Sequence, residues 1–309
     1  MTLLQVRDLG KSFGGNRAVD GIGFTLAAGE LLALIGPNGA GKTTTFNMVN
    51  GQLPADSGSI RLAGHELLGR KPRDIWRLGV GRTFQIAQTF ASLTVVENVQ
   101  MALLSVDRRV FSIWRRAANY RRADALALLD QVGMAAQADR PCSVLAYGDV
   151  KRVELAIALA NSPKLLLMDE PTAGMAPQER NDLMALTKRL VVQQQIAVLF
   201  TEHSMDVVFA VADRIIVLAR GRLIADGRPQ DIRDHPQVQE VYFGSGKVFA
   251  HPRSAFGAAS PGGLSGTVDT PCGPSAASEG QPACLPDGAA SGPAETVPLP
   301  VPPLPHGAK

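Results

Sequence analysis

Cysteine is scarce in this sequence: 309 residues include only Cys142, Cys272 and Cys284. Their spacing matches neither a zinc-binding pattern nor a framework of paired disulfides. The sequence therefore predicts no structural zinc site and no disulfide scaffold, and free thiols of this kind are typical of a cytosolic protein.

Long apolar runs are also lacking. No stretch approaches the ~18 apolar residues that a membrane-spanning helix needs, and the charged Arg7 and Asp8 stand where a signal peptide would be apolar. We therefore expect any contact with a membrane to be peripheral or through a partner. The net charge is +3, which is too small to argue for nucleic-acid binding.

What the sequence does contain is a phosphate-binding pattern near its start. Residues 36–43 read GPNGAGKT and match G-x-x-x-x-G-K-[ST] at every fixed position. An apolar run at residues 31–35 predicts a buried strand before them, and a helical pattern follows at residues 44–49. The glycines let successive backbone N–H groups face a phosphate, Lys42 can reach the β- and γ-phosphates, and the Thr43 hydroxyl can bind Mg²⁺.

Strands and helices alternate through the rest of the first 243 residues. Strands are predicted at residues 3–9, 18–26, 59–62, 80–84, 164–168, 196–201, 214–218 and 222–226. Helices are predicted at residues 94–104, 121–132, 150–161, 180–195 and 204–212, with turns at residues 14–15 and 145–148. This alternation predicts an α/β core with a mostly parallel sheet.

Polar side chains follow three of these predicted strands. Asp169 and Glu170 come after an apolar strand, where one carboxylate could hold Mg²⁺ through water and the other could polarise an attacking water. His203 and Gln85 also follow strands, although alone each would more often be an ordinary capping or surface residue. Together with the phosphate-binding pattern, the acidic pair predicts a site that binds and hydrolyses a nucleoside triphosphate.

Two aromatic features leave alternatives open. Phe13, at the predicted turn before residues 14–15, could stack on adenine or could anchor the turn against the sheet. Residues 108–122 hold six arginines among apolar and aromatic residues. That segment could contact lipid headgroups or an acidic partner, or it could be a solvated helical face.

The composition changes after residue 243. Residues 251–309 hold 12 of the 21 prolines and very few large apolar residues. Such a segment cannot bury enough surface to offset its conformational entropy. We therefore expect residues 1–243 to form the folded domain and residues 244–309 to form a disordered tail.

Taken together, these residues resemble an ABC-type ATPase over residues 1–243. The matching features are the phosphate loop, Gln85, the signature-like stretch LAYGD at residues 145–149, the acidic pair and His203. The stretches KSFGGNRAVDG, GRTFQ, AGMAP and TEHSMDVV are similar to those of the ATP-binding subunits of branched-chain amino acid importers. The stretch VLARGRLIADGRPQDIRDHPQVQEVYFG near residue 243 is also similar.

This resemblance implies an architecture and a set of partners. It implies an ABC-type P-loop ATPase fold with a RecA-like parallel-sheet core, an N-terminal antiparallel β part and an inserted helical subdomain at about residues 91–160. Two cassettes would face each other head to tail, as a homodimer or a heterodimer. They would act with transmembrane permease subunits, and indirectly with a periplasmic or extracellular solute-binding protein, as peripheral proteins on the cytoplasmic face of the inner membrane.

The resemblance also implies roles for particular residues. Glu170 would activate water, His203 would contact the γ-phosphate, and Gln85 would respond to the permease. Mg²⁺ would be held by Thr43, Gln85 and Asp169. The residues expected to bind ATP are Phe13, Gly36, Pro37, Asn38, Gly39, Ala40, Gly41, Lys42, Thr43, Thr44, Leu145, Ala146, Tyr147 and Gly148.

The sequence departs from the usual family pattern at four positions. In place of the signature LSGGQ, Ala146 replaces serine, Tyr147 replaces glycine and Asp149 replaces glutamine. Ala176 stands where an acidic residue or asparagine is common. With Glu170 and His203 intact, we expect an active ATPase; the alternatives are a soluble ABC ATPase acting on ribosomes or nucleic acid and a non-hydrolysing scaffold.

Overall fold

The computed structural model describes residues 2–83, 89–107 and 120–243. Its strands are β1 Thr2–Phe13, β2 Asn16–Ala27, β3 Leu31–Ile35, β4 Ser57–Leu62, β5 His65–Glu66, β6 Val80–Thr83, β7 Leu165–Asp169, β8 Ala197–Thr201, β9 Arg214–Ala219 and β10 Arg222–Gly227. Its helices are α1 Lys42–Val49, α2 Pro72–Arg77, α3 Val95–Val106, α4 Arg122–Gln131, α5 Tyr147–Leu159, α6 Pro177–Gln194, α7 Met205–Val211, α8 Pro229–Arg233 and α9 Pro236–Phe243.

The larger of the two sheets formed by the described residues has six strands, is mainly parallel and has the strand order β10-β9-β3-β8-β7-β6. β3, β6, β7, β8 and β9 run parallel, and β10 pairs antiparallel to β9 at the edge. Every residue of β3 and β8 is buried, as expected for strands that are covered on both faces. The carboxyl ends of the parallel strands therefore meet at one edge of the sheet.

An antiparallel sheet covers one face of this parallel sheet. Its strand order is β2-β1-β4-β5, and it shares a hydrophobic core with alternate residues of β3, such as Leu32 and Leu34. The other residues of β3, such as Leu31 and Ala33, belong to a second core. That core includes buried residues of helices α3 to α7, so the parallel sheet lies between two apolar layers.

The helices α3, α4 and α5 form the inserted helical part. α3 begins with a capping box, in which the Thr94 hydroxyl accepts from the Glu97 backbone N–H and the Glu97 carboxylate accepts from the Thr94 backbone N–H. Val99 of α3 and Leu129 of α4 are fully buried in the core on that side of the sheet. None of the helices in the described segments combines the length and hydropathy needed to span a bilayer.

The predicted fold class is confirmed, with shifts at element ends. The strand predicted at residues 3–9 extends to Phe13, because the two-residue turn at residues 14–15 lets Phe13 pair with Asn16. Phe13 is therefore the last residue of a strand rather than part of the turn. The predicted turn at residues 145–148 was wrong in its second half, since α5 begins at Tyr147 and includes Gly148.

Three short helices, α2, α8 and α9, and the strand β5 were not predicted. Each of the three helices begins with a proline, a residue that suits the first helical position because its fixed φ is helical and its missing N–H has no intrahelical partner there. Gln85, most of the basic segment at residues 108–122 and the predicted tail at residues 244–309 lie outside the described residues.

Candidate nucleotide site

The phosphate-binding pattern lies at the carboxyl end of β3, between that strand and α1. Two of its glycines occupy backbone positions with no room for a side chain. A Cβ on Gly36 would lie 2.3 Å from the Leu218 carbonyl oxygen, and one on Gly41 would lie 2.5 Å from the Ala18 carbonyl oxygen. Gly39 and Gly41 also have φ of 78° and 101°, which favour glycine. The loop conformation thus depends on glycine at these positions.

Lys42 opens α1 and folds back over the loop. Its Nζ donates to the carbonyl oxygens of Gly36 at 2.6 Å and Pro37 at 3.2 Å, and the residue is buried. Burial lowers the pKa of Lys42, while the nearby carboxylates of Glu170 and Asp169 act in the opposite direction. A cation in this place, next to backbone N–H groups at a helix start, suits a phosphate chain.

The carboxyl end of β7 brings Asp169 next to β8. The Thr201 hydroxyl donates to Asp169 Oδ1 at 2.8 Å, and the Arg82 guanidinium lies 3.6 Å from Asp169 Oδ2. The Glu170 backbone N–H donates to the Thr201 hydroxyl oxygen at 3.1 Å. These contacts fix the position of the acidic pair relative to the neighbouring strands.

Glu170 and His203 meet directly. Glu170 Oε1 lies 2.7 Å from His203 Nε2, with the histidine side chain 56% exposed and the carboxylate 20% exposed. Glu170 has a φ of 47°, a left-handed conformation that is uncommon for a residue with a side chain. The two strand ends of β7 and β8 thus place a carboxylate and an imidazole side by side.

A buried carboxylate that sequence reasoning missed supports this pair. Glu202, between β8 and His203, accepts from the backbone N–H of Thr172 at 2.9 Å and from its hydroxyl at 2.7 Å. Glu202 is 5% exposed. It therefore connects the segment after Glu170 to the segment that carries His203. Like Glu170, Glu202 directly follows a strand, and this position was the feature of the sequence that could have identified it.

A cavity of about 650 Å³ opens over the phosphate loop. It brings together predicted residues from three regions of the chain: Phe13, residues 38–44, and Glu170 with His203. Phe13 is 51% exposed, so its ring contributes to the cavity wall instead of lying in the core. The complete lining is Phe13, Asn16, Arg17, Ala18, Asn38, Gly39, Ala40, Gly41, Lys42, Thr43, Thr44, Glu170, His203 and Arg220.

The signature-like stretch does not join this cavity within one chain. Leu145 packs against the core beside the helices, while Tyr147 is 43% exposed at the start of α5. The Asp149 carboxylate accepts from Gln137 Nε2 at 3.1 Å, and the Ala176 backbone N–H donates to Glu179 Oε2 at 3.3 Å. The signature-like residues are thus separate from the residues that line the cavity.

The predicted Mg²⁺ ligands are only partly described. Thr43 lines the cavity, Asp169 lies at the adjoining strand end, and Gln85 falls outside the described residues. Among the described residues, no group of three or more histidine, cysteine or acidic side chains could hold a metal ion. A hydroxyl and a carboxylate still suit Mg²⁺, because that ion prefers oxygen ligands and keeps several waters.

Comparison with known proteins gives the family. Residues 19–173 match the model of the ABC transporter family, and residues 222–248 match that of the branched-chain amino acid ATP-binding cassette transporter. The chain is 37% identical over 249 residues to the high-affinity branched-chain amino acid transport ATP-binding protein BraF of Pseudomonas aeruginosa. It is 38% identical over 249 residues to the corresponding protein LivG of Escherichia coli. Each match covers 78% of this chain and 98% of the relative.

Solved structures agree with this result. The ADP conformation of MJ1267, described as an ATP-binding cassette of an ABC transporter, matches with a TM-score of 0.71 and 30% identity, covering 79% of this chain and 99% of the other. The structure of cbiO1 from Clostridium perfringens, described as part of the ABC transporter complex cbiONQ, matches with a TM-score of 0.66 and 28% identity, covering 78% and 96%. The chain belongs to the ABC transporter family, as an ATP-hydrolysing subunit of the branched-chain amino acid transport subfamily.

Proposed function

We propose that this chain binds and hydrolyses ATP to energise the uptake of branched-chain or related amino acids through permease subunits. The observation that supports the chemistry most directly is the contact between Glu170 and His203 beside the cavity over the phosphate loop. The relatives named above support the solute class, since both are branched-chain amino acid transport proteins.

In this proposal the cavity holds ATP with its phosphates on the loop. The N–H groups of residues 38–44 and the Lys42 ammonium bind the phosphate oxygens, and the exposed Phe13 ring stacks on adenine. Thr43, Asp169 and Gln85 are the proposed ligands of Mg²⁺, which when bound supplies positive charge to the phosphate oxygens. A ring in the cavity wall favours the stacking role of Phe13 over the anchoring role.

Hydrolysis needs a water molecule oriented towards the γ-phosphate. We assign Glu170 to accept a hydrogen bond from that water and to polarise it. His203, 2.7 Å from the Glu170 carboxylate, keeps the carboxylate in place and can donate to the γ-phosphate oxygens. Glu202 and Thr201 position these two groups through their bonds to Thr172 and Asp169.

The position of the signature-like stretch supports a second cassette as a partner. Residues 145–148 lie apart from the cavity, and the side chains of Val144 and Tyr147 are exposed by 58% and 43%. In a head-to-tail pair, this surface of one chain would cover the nucleotide on the other. The permease would be contacted from the helical part, on the cytoplasmic face of the membrane, and a solute-binding protein would act indirectly from the other side.

A pull-down from detergent-solubilised native membranes tests the transport assignment. With this chain as bait, we expect mass spectrometry to identify a polytopic permease and a second cassette. The matched control is the same bait applied to the ribosome-containing soluble fraction, where we expect no enrichment. Recovery of ribosomal or nucleic-acid-bound proteins with no membrane protein would contradict the proposal and would favour a soluble ABC ATPase.

A further inference from the structure

The turn between β9 and β10 lies directly on the phosphate loop. In this turn, at residues 220–221, the Gly221 backbone N–H donates to the Ala40 carbonyl oxygen at 3.2 Å. The Gly221 carbonyl oxygen accepts from the Asp20 backbone N–H at 2.9 Å. The turn thus bridges the phosphate loop and β2, although it is about 180 residues away from the loop in sequence.

Sterics and charge hold this turn in place. Gly221 has a φ of 79°, and a Cβ there would lie 3.0 Å from the carbonyl oxygens of Arg17 and Ala18. The Asp20 carboxylate accepts from both Arg222 and Arg17, and these bonds hold the pKa of Asp20 below its usual value. The turn and the edge of β2 therefore form one fixed wall of the cavity.

Arg220, an exposed residue of this turn, is part of the cavity lining. Its φ is 48°, a left-handed conformation that costs free energy for a residue with a side chain and that persists only where its surroundings fix it. The other two permanent cations of the lining already have partners: Arg17 pairs with Asp20, and Lys42 donates to Gly36 and Pro37. For the Arg220 guanidinium, the described segments contain no hydrogen-bond or ion-pair partner.

We infer that Arg220 is a further nucleotide-binding residue, whose guanidinium contacts the phosphate chain of the nucleotide. The inference rests on the proposed ATP site. A guanidinium presents several N–H donors in a plane and binds phosphate oxygens through charge-assisted bonds. Its turn is bonded to Ala40, within the loop that cradles the phosphates, whereas the base is expected at Phe13. Arg220 therefore adds a cation from the C-terminal half of the domain to a site built mainly from the N-terminal half.

The test measures ADP affinity by calorimetry on the full chain at low and high salt. We expect Arg220→Gln to weaken ADP binding roughly fivefold at low salt, with a smaller difference at high salt because salt screens the lost contact. Arg220→Lys should recover part of the loss. The matched control is Arg189→Gln, which removes the same charge from an exposed position of α6 away from the cavity and should bind ADP like the parent.

A second variant separates charge from backbone conformation. Arg220→Gly removes the cation but suits the left-handed φ, so we expect it to lose as much ADP affinity as Arg220→Gln. Parent-like affinity in Arg220→Gln would overturn the inference. The inference would also be overturned if only Arg220→Gly bound ADP like the parent. The loss of affinity in Arg220→Gln would then come from the backbone conformation of the turn and not from the missing cation. Absence of ADP and ATP binding in the parent chain would instead contradict the proposed function itself.

Discussion

At the scale of single residues, the site depends on two side chains that meet from different strands. Asp169 and Glu170 could be predicted from the sequence because they follow an apolar strand and lie downstream of a phosphate-binding pattern. His203 was predicted as a site residue only because the phosphate-binding pattern and the acidic pair were present as well. Glu202 was missed, since its place after a strand does not indicate that its carboxylate binds a backbone N–H 30 residues earlier. Only the pairing of β7 with β8 brings Glu202 and Thr172 together.

The proposed role of Glu170 gives a direct prediction. Glu170→Gln keeps the size of the side chain but removes the charge that is proposed to polarise water, so we expect ATP to bind while turnover falls at least about 100-fold. ATP binding and phosphate release should be measured on the same preparation. Lys42→Ala is the comparison variant, because we expect it to lose ATP binding itself. Hydrolysis at the parent rate by Glu170→Gln would show that another group activates the water.

At the scale of elements, one buried amide side chain of α3 binds the segment that precedes this helix. Asn98 is 2% exposed; its Oδ1 accepts from the Phe90 backbone N–H at 2.8 Å, and its Nδ2 donates to the carbonyl oxygens of Phe90 and Thr94 at 3.1 and 2.9 Å. The apolar periodicity predicted α3 to within two residues at its C-terminal end. It could not indicate that a polar residue inside the helix would hold the preceding segment.

Removing this amide should therefore be costly. We expect Asn98→Ala to lower the free energy of unfolding by about 2 kcal/mol, because the Phe90 backbone N–H would lose its acceptor and the carbonyl oxygens of Phe90 and Thr94 would each lose a donor. The matched control is Asn181→Ala, the same chemical change at an exposed position of α6, which should change stability by less than about 0.5 kcal/mol. Urea unfolding of the three proteins measures both values, and equal stability of Asn98→Ala and the parent would contradict this account.

At the scale of the whole molecule, β3 is central because both apolar layers meet on it. The alternation of strands and helices made the parallel sheet predictable, but not the strand order β10-β9-β3-β8-β7-β6, which follows from long-range pairing. The contact of the β9–β10 turn with the phosphate loop was equally hidden, since β9 and β3 are neighbours in space and far apart in sequence. Local sequence patterns predict the helices and strands, whereas the neighbours of each strand in the sheet depend on how the core packs.

The predicted domain boundary can be tested on the whole chain. Because residues 251–309 are rich in proline and poor in large apolar residues, we expect their deletion to leave the melting temperature and ATP affinity unchanged. A longer deletion from residue 236 is the control: it also removes α9, whose Val238 is fully buried in the core, and should lower the melting temperature by several degrees. A large drop with the shorter deletion would show that the tail contributes to the fold.

The left-handed backbone of Glu170 has a consequence for engineering this chain. Glycine or asparagine would adopt a φ of 47° with less strain, so the glutamate costs free energy that either of those residues would not. Optimising this chain for heat resistance would therefore favour changes at position 170, and under the proposed role of Glu170 such changes would gain stability and lose turnover.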